Sequence, residues 1–231
     1  MIVALNNKSN FTKEEFIKYL DELSTIETKH KIILCPTSVN IALFDIDNVS
    51  LGAQNVSNNL AGAHTGEVNA DQLESFKVKY CLVGHSERRE EQHITSKDTN
   101  KKIKQLLDNH ITPILCVGET KEQRVHKNYR AVIREELLTA IKDLEEEEIK
   151  RIIIAYEPIY SIGTGIVPTN DEIIEVLNII KKILPDNKIL YGGSANEDNI
   201  DTLKEIKEID GFLLGGLSLE VEKLKLFLEK I

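Results

Sequence analysis

The chain has 231 residues, of which 41% are apolar and 29% are charged, so it is long enough to bury a core and has the composition of a globular protein. Its 38 acidic and 29 basic residues give a formal charge of −9, which argues against nucleic acid or an anionic membrane as the main partner. An anionic ligand would need a local site, because the field of the whole molecule repels it.

Short apolar runs alternate with helical patterns from one end of the chain to the other. The predicted strands are Ile2–Asn6, Lys31–Cys35, Ser50–Gln54, Lys79–Gly84, Thr112–Gly118, Arg151–Glu157, Lys188–Gly192 and Gly211–Gly215. The runs are continuously apolar rather than alternating, which is typical of parallel strands covered on both faces.

The segments between these runs carry helix signals. Thr12 followed by Lys13-Glu14-Glu15 has the form of a capping box. The predicted helical segments are Lys121–Leu144, Ile173–Leu184, which opens with Asn170-Asp171-Glu172, and Leu219–Ile231. We interpret the acidic run Glu145–Glu148 as a solvated helix end before a strand.

Repeated strand-then-helix units in a chain of this length predict a closed eight-stranded parallel (β/α)8 barrel. A doubly wound open sheet is the rival fold, but it normally carries a G-x-G-x-x-G turn after an early strand, and the sequence has none. No Pro-rich or Ser-rich linker divides the chain. We therefore expect residues 1–231 to form one domain.

The cysteines indicate the cellular compartment in which the protein works. Cys35, Cys81 and Cys116 each lie inside an apolar run, and their odd number favours buried, reduced thiols over a disulfide framework. The opening Met1–Leu5 lacks the length and basic flank of a signal peptide, and no apolar run is long enough to cross a bilayer. These features predict a cytoplasmic protein.

Chemistry in such a barrel lies where strands end. The strand ends carry Asn6 and Lys8, Gln54-Asn55, His85, Cys116–Glu119, Glu157, Gly192-Gly193-Ser194 and Gly215-Gly216. A carboxylate, an imidazole, an ammonium and several glycines are thus predicted to share one rim.

Glu157 closes an apolar strand and is followed by Pro158 and a glycine-rich stretch. It is either a rim carboxylate facing water or a base that a moving loop desolvates, which would raise its pKa towards the working pH. His85 stands where a strand meets a short helix that Ser86 is predicted to cap. A lone histidine is more often structural, but the positive end of a helix disfavours the imidazolium and leaves a neutral ring that donates to a carbonyl.

Lys8 follows the first strand, where it is either an ordinary surface charge or the cation that an anionic ligand would need. Asn6 could orient the lysine or the substrate. The glycines after strands seven and eight either allow tight turns or bind a phosphate through backbone amides.

Five segments match a known family in order. They are Asn6-x-Lys8, Gly84–Arg89, Tyr156–Gly165, Tyr191–Ser194 and Gly215–Leu219, and Gly52–Asn55 and Thr65-Gly66-Glu67 also match. Over essentially the whole chain the sequence resembles the triosephosphate isomerases. The resemblance implies a TIM barrel that interconverts D-glyceraldehyde 3-phosphate and dihydroxyacetone phosphate in glycolysis and gluconeogenesis.

The resemblance also implies roles. Glu157 would shuttle the proton between C1 and C2, neutral His85 would polarise the carbonyl, Lys8 and Asn6 would hold the negative charge, and Glu87 would position the lysine. The phosphate would lie on the backbone amides of Gly163, Ser194, Gly215 and Gly216, under the loop Pro158–Pro168, with Ile162 and Leu213 as an apolar clamp over the base. No metal or organic cofactor is implied.

A homodimer is implied as well, with Thr65, at the tip of the loop 61–68, reaching the partner's site near Asn6 and Lys8. The sequence departs from the family at Tyr160, usually tryptophan, at the second hinge Ile166-Val167-Pro168, and at Gln92-His93-Ile94. These changes concern loop motion and dimer strength rather than the chemistry.

Two other classes of function are compatible with a barrel of this kind. Phosphate-binding isomerases of amino-acid biosynthesis rely on paired aspartates at strand ends, which this chain lacks. A catalytically inactive sugar-phosphate-binding barrel, or a purely structural role, stays open at this stage.

Overall fold

A computed structural model describes residues 1–162, 167–196 and 199–231. Within these ranges eight parallel strands close into a barrel, each pairing with the next along the chain and the last with the first. The strands are β1 Ile2–Asn6, β2 Lys31–Cys35, β3 Ser50–Ala53, β4 Tyr80–Val83, β5 Thr112–Val117, β6 Ile153–Tyr156, β7 Ile189–Tyr191 and β8 Gly211–Leu214. The predicted (β/α)8 barrel is confirmed.

Helices lie between the strands. Those within the described ranges are α1 Lys13–Ser24, α2 Ala70–Ser75, α3 Ser86–Gln92, α4 Ser96–Asp108, α5 Lys121–Val125, α6 Tyr129–Ala140, α7 Glu146–Lys150, α8 Asn170–Ile183, α9 Ile200–Leu203 and α10 Val221–Lys230. Short 3-10 turns cover Ser38–Leu43, Ile159–Ser161 and Gly216–Leu219. None of these helices has the length and apolar character that crossing a membrane requires.

The strands are covered on both faces, as their continuous apolar character predicts. The barrel interior is filled by Ala4, Ile33, Cys35, Leu82, Ile114, Cys116, Ile153, Ala155, Leu190 and Leu213. A larger apolar layer lies between the strands and the surrounding helices. All three cysteines are buried and free, in agreement with the sequence analysis.

Local signals predict helix starts better than helix ends. Thr12 and Glu15 form the predicted capping box: Glu15 N donates to Thr12 Oγ1 at 3.4 Å, and Thr12 N donates to the Glu15 carboxylate at 2.8 Å. The single helix predicted over Lys121–Leu144 is wrong, because Lys127 has a φ of 57° and separates α5 from α6. Left-handed backbone at one residue is enough to end a helix.

Other boundaries shift by smaller amounts. Most predicted strands end one residue too late, so that residues such as Glu157 and Gly215 are the first of the following loop rather than the last of the strand. The acidic run is also placed differently: Glu145 is the N-cap of α7, whose first turn holds Glu146, Glu147 and Glu148. Carboxylates at this position interact favourably with the helix dipole.

Gly211 allows the barrel to close. A Cβ atom at this position would lie 1.8 Å from the carbonyl oxygen of Ile2 in the neighbouring strand. We expect Gly211→Ala to lower the free energy of unfolding by about 3 kcal/mol, because β1 and β8 would have to separate. Urea unfolding measures this. Gly216→Ala is the control, since nothing lies within 4 Å of a Cβ built there. Equal stability of the two variants would contradict the prediction.

Candidate active site

A cavity of about 700 Å³ lies at the carboxyl ends of β1, β6, β7 and β8. It brings together most of the predicted site residues: Asn6, Lys8, His85, Glu157, Ile162, Ser194, Leu213, Gly215 and Gly216. Glu87 lines an adjoining cavity of about 490 Å³ that shares Asn6, Lys8 and His85 with the first. Gly163, predicted to bind phosphate, lies outside the described residues.

Lys8 is held in an unusual backbone conformation, with a φ of 51°. Its backbone N–H donates to Asn6 Oδ1 at 3.0 Å, and its carbonyl accepts from Gln54 Nε2 at 2.9 Å. The ammonium forms an ion pair with Glu87. Because side chains from β1 and from the loop after β3 fix its backbone, the direction in which Lys8 points is defined before any ligand binds.

His85 connects β4 to α3 and is itself the N-cap, so the prediction that Ser86 caps this helix is wrong. Its Nδ1 accepts the backbone N–H of Glu87 at 3.3 Å. In a neutral ring that bond leaves the hydrogen on Nε2. Nε2 lies 3.1 Å from a Glu157 carboxylate oxygen and 3.4 Å from Asn6 Nδ2.

Glu157 is the first residue after β6 and is 3% exposed. Its backbone N–H donates to Val117 O at 2.8 Å, which continues the β5–β6 pairing by one residue. Two glycines make room for it: a Cβ at Gly118 would lie 1.7 Å from the Glu157 carbonyl oxygen, and one at Gly192 would lie 2.9 Å from its Cγ. The carboxylate is therefore fixed at the cavity wall by its surroundings.

The contact between Glu157 and His85 reverses the pKa directions expected from the sequence. Burial raises the pKa of Glu157, but the attraction of the imidazole, together with hydrogen bonds from His85, Cys116 and the Ser86 backbone, outweighs it and the net shift is downward. Burial lowers the pKa of His85, but the charge and hydrogen bond of the Glu157 carboxylate, together with the charge of Glu87, outweigh it and the net shift is upward. Each group thus stabilises the charged form of the other while they remain in contact.

This coupling predicts how stability depends on pH. The pKa of His85 in the folded protein lies above its ordinary value of 6.5, so the protonated ring contributes stability below that value and loses it as the pH rises through the folded pKa. We expect His85→Gln to destabilise the protein more at about pH 6 than at about pH 8.5, as measured by urea unfolding at both values. His126→Gln, at an exposed position, is the control. A difference from wild type that does not vary with pH would contradict the coupling.

The loops after β7 and β8 form a cradle of free amides. Among the described residues, no acceptor pairs with the backbone N–H groups of Ser194, Gly215 and Gly216. The Lys8 side chain runs alongside: its Cε would be 3.3 Å from a Cβ built at Gly215. Unpaired amides next to an ammonium are a favourable environment for an anion.

Sequence reasoning missed two charged residues of this cavity. Glu220 and Lys223 line its mouth and form an ion pair at 2.8 Å. Their signal was present, since they lie just after the glycines of strand eight, but an i, i+3 charge pair at a helix start is common on any protein surface.

The base of the predicted lid is described only in part. Ile159 N donates to Glu119 O at 3.0 Å, and the buried Glu119 carboxylate accepts from Tyr156 OH at 3.1 Å. Tyr160, which stands where the family usually has tryptophan, lies in the 3-10 turn beside Arg124. The segment predicted to form a lid thus starts beside the buried polar groups of Glu119 and Tyr156, while residues 163–166 lie outside the described ranges.

Fold and site together define a class of protein: a (β/α)8-barrel enzyme whose cavity combines acid–base side chains with backbone amides that have no acceptor among the described residues. The family model for triosephosphate isomerase matches residues 1–231. Among similar curated proteins, the triosephosphate isomerase of Mycoplasmopsis pulmonis is 36% identical, with 96% of this chain and 94% of that protein aligned. That of Mycoplasmopsis agalactiae is 42% identical over 82% of this chain and 75% of that protein. That of Clostridium botulinum is 34% identical over 96% and 95%.

The chain therefore belongs to the triosephosphate isomerase family, and it is an isomerase. Nothing in the fold, the cavity or these similarities favours the catalytically inactive barrel that the sequence left open.

Proposed function

We propose that the chain interconverts D-glyceraldehyde 3-phosphate and dihydroxyacetone phosphate, with Glu157 as the base. The carboxylate removes the proton from C2 of the aldehyde, which gives an enediolate, and returns a proton to C1, which gives the ketone. Its burial and its fixed place at the cavity wall support this role, because a base shielded from water and held in position transfers protons efficiently.

His85 donates a hydrogen bond from Nε2 to the carbonyl oxygen and relays protons between the two enediolate oxygens. The Glu87 amide on Nδ1 supports this tautomer. When substrate separates Glu157 from His85, the attraction that raises the pKa of His85 weakens. Burial and the Glu87 amide then both favour the neutral ring.

Lys8 balances the negative charge of the enediolate, with Asn6 beside it. Glu87 positions the ammonium through the ion pair that it forms with Lys8. In a molecule of net charge −9 this local cation offsets the repulsion of an anionic substrate.

The phosphate binds to the backbone amides of Ser194, Gly215 and Gly216, and to Gly163 of the lid. Ile162 and Leu213 supply an apolar cover for the base. This role is supported by the position of both side chains, which line the cavity that contains Glu157. An apolar cover keeps water from the enediolate, which would otherwise lose its phosphate.

One observation carries this proposal: Glu157, His85 and Lys8 converge on one cavity beside the free amides. A coupled assay with purified protein tests it. We expect turnover of glyceraldehyde 3-phosphate and competitive inhibition by 2-phosphoglycolate. A protein that binds both compounds without turning the first over would be a binding module instead.

We also propose that residues 1–231 act as one barrel domain in the cytoplasm, without a nucleic acid or membrane partner. The buried free cysteines are usual for proteins of a reducing compartment, and the net charge of −9 disfavours polyanions. The uninterrupted strand order of the closed barrel supports the single domain.

We further propose a homodimer formed through the loop around Thr65. Support comes from the exposure of this loop and from exposed apolar side chains near it in the chain, Leu60 at 72% and Phe76 at 51%. The adjoining cavity next to Lys8 offers a place for the partner's loop. Exposed apolar groups of this size commonly mark protein interfaces.

Thr65→Arg tests the dimer. We expect wild-type protein to have twice the mass of one chain in light scattering, and the variant to shift towards one chain and lose activity, because a charged side chain would be buried at the contact. Thr25→Arg, at an exposed position at the end of α1, is the control. A variant that stays dimeric and fully active would remove Thr65 from the interface.

A further inference from the structure

Ser218 joins the anion cradle to the strand that carries Lys8. It lies in the 3-10 turn Gly216–Leu219 and is completely buried. Its Oγ donates to the carbonyl of Asn6 at 3.2 Å, and its backbone N–H donates to Gly215 O at 2.9 Å. One residue therefore contacts both the cradle and the residue that holds the backbone of Lys8.

Asn7 adds a second link between the same two segments. It lies between Asn6 and Lys8, is completely buried, and donates from Nδ2 to Ser218 Oγ at 3.3 Å. Burying an amide is unfavourable unless it is hydrogen-bonded. The contact with Ser218, 211 positions away in the sequence, gives the Nδ2 group of that amide its partner.

Tyr19 of α1 completes the cluster. Its hydroxyl donates to Ser218 O at 2.8 Å, and burial raises its pKa to about 12, so the phenol stays a donor throughout the working range of pH. Ser218 thus has partners for its hydroxyl, its carbonyl and its N–H. Because all of its polar groups are hydrogen-bonded, Ser218 couples the position of the turn Gly216–Leu219 to that of the segment Asn6–Lys8.

We infer that Ser218 and Asn7 are positioning residues that fix the phosphate cradle relative to the Lys8 ammonium. The inference rests on the proposed function, because the two anchors must hold one substrate. Lys8 has a left-handed backbone and lies beside Gly215. The distance between its ammonium and the free amides is therefore fixed only while hydrogen bonds join the loop after β1 to the loop after β8. Neither side chain touches the reacting carbons.

The test compares Ser218→Ala, Asn7→Leu and the double variant. We expect KM for glyceraldehyde 3-phosphate and Ki for inorganic phosphate to rise about tenfold in each single variant, with kcat changing by less than about threefold, because the loss falls on phosphate binding. The double variant should be no worse than about twice either single one, since the two residues act through one link.

Asn187→Ala is the matched control. Asn187 is another buried asparagine, and its Nδ2 donates to the carbonyls of Ile149 and Ile152 at 2.7 Å, away from the cavity residues. We expect this variant to lose stability but to keep KM and the Ki of phosphate. If Ser218→Ala and Asn7→Leu behave in the same way, their role is structural only and the inference is overturned.

Phosphate binding separates this inference from the proposed function. Calorimetric titration of inorganic phosphate into each variant needs no turnover. Wild type that binds phosphate but converts no triose would refute the proposed function, while the variants would still show whether the link supports the cradle. If Ser218→Ala does not fold, Asn7→Leu decides: an unchanged phosphate affinity overturns the inference.

Discussion

Replacing Glu157 with aspartate is expected to lower kcat by about 10²- to 10³-fold while KM changes by less than about threefold. The shorter side chain keeps the charge but withdraws the carboxylate from the reacting carbons by roughly the length of one C–C bond. Because Gly118 and Gly192 pack against the backbone and the Cγ of this residue, the backbone has no room to follow and restore the distance. Steady-state kinetics of the purified variant give both constants.

Glu229→Asp makes the same chemical change at an exposed site on α10 and controls for general effects of the substitution. A Glu157→Asp enzyme with near-normal kcat would refute the role of base. Loss of activity accompanied by loss of folded protein would instead appear as a reduced free energy of unfolding, so circular dichroism accompanies the kinetics.

Replacing Lys8 with methionine is the second large effect: we expect KM to rise and kcat to fall together, each by about 10-fold or more. The ammonium lies 3.9 Å from a Cβ built at Gly215 and lines the cavity that also contains His85 and Glu157, so under the proposed mechanism its loss removes a charge that offsets both the phosphate and the enediolate. The partner Glu87 is also left without its cation, which adds negative charge next to an anionic substrate.

Lys188→Met is the control for this experiment. Lys188 pairs with Asp210 at 2.9 Å just before β7, at the opposite end of the strands from the cavity. The Lys188→Met variant therefore loses an ion pair, as Lys8→Met does, but the charge of the cavity does not change. Activity that survives Lys8→Met with an unaltered KM would exclude the lysine from substrate binding.

The barrel is predictable from the sequence because each strand is an isolated apolar run. Both faces of a parallel strand are buried, so runs such as Lys31–Cys35 are visible without any alignment, and this strand has the predicted bounds. The helix break at Lys127 is not predictable in the same way. A lysine with positive φ has no compositional signature, since only its neighbours' hydrogen bonds make that conformation acceptable.

The sequence predicts which residues form the candidate site better than it predicts the contacts between them and the pKa shifts that those contacts cause. Strand ends locate Glu157 and His85, but the sequence does not give the 3.1 Å between them, and that contact reverses the expected pKa directions. The link between Asn7 and Ser218 was missed for the same reason. It joins residues 211 positions apart, and neither residue type is unusual in its own segment.

Isomerisation in D2O tests most directly whether a protein carboxylate carries the proton between the two carbons. If Glu157 takes the proton from C2 and exchanges it with solvent before returning it, dihydroxyacetone phosphate formed from glyceraldehyde 3-phosphate carries deuterium at C1, which NMR detects. We expect substantial deuterium at that carbon, formed at a rate that falls with kcat in Glu157→Asp. Product that contains only protium at C1, formed by Glu157→Asp at the wild-type rate, would contradict the account, because the hydrogen would then pass between the carbons with neither solvent exchange nor dependence on the position of this carboxylate.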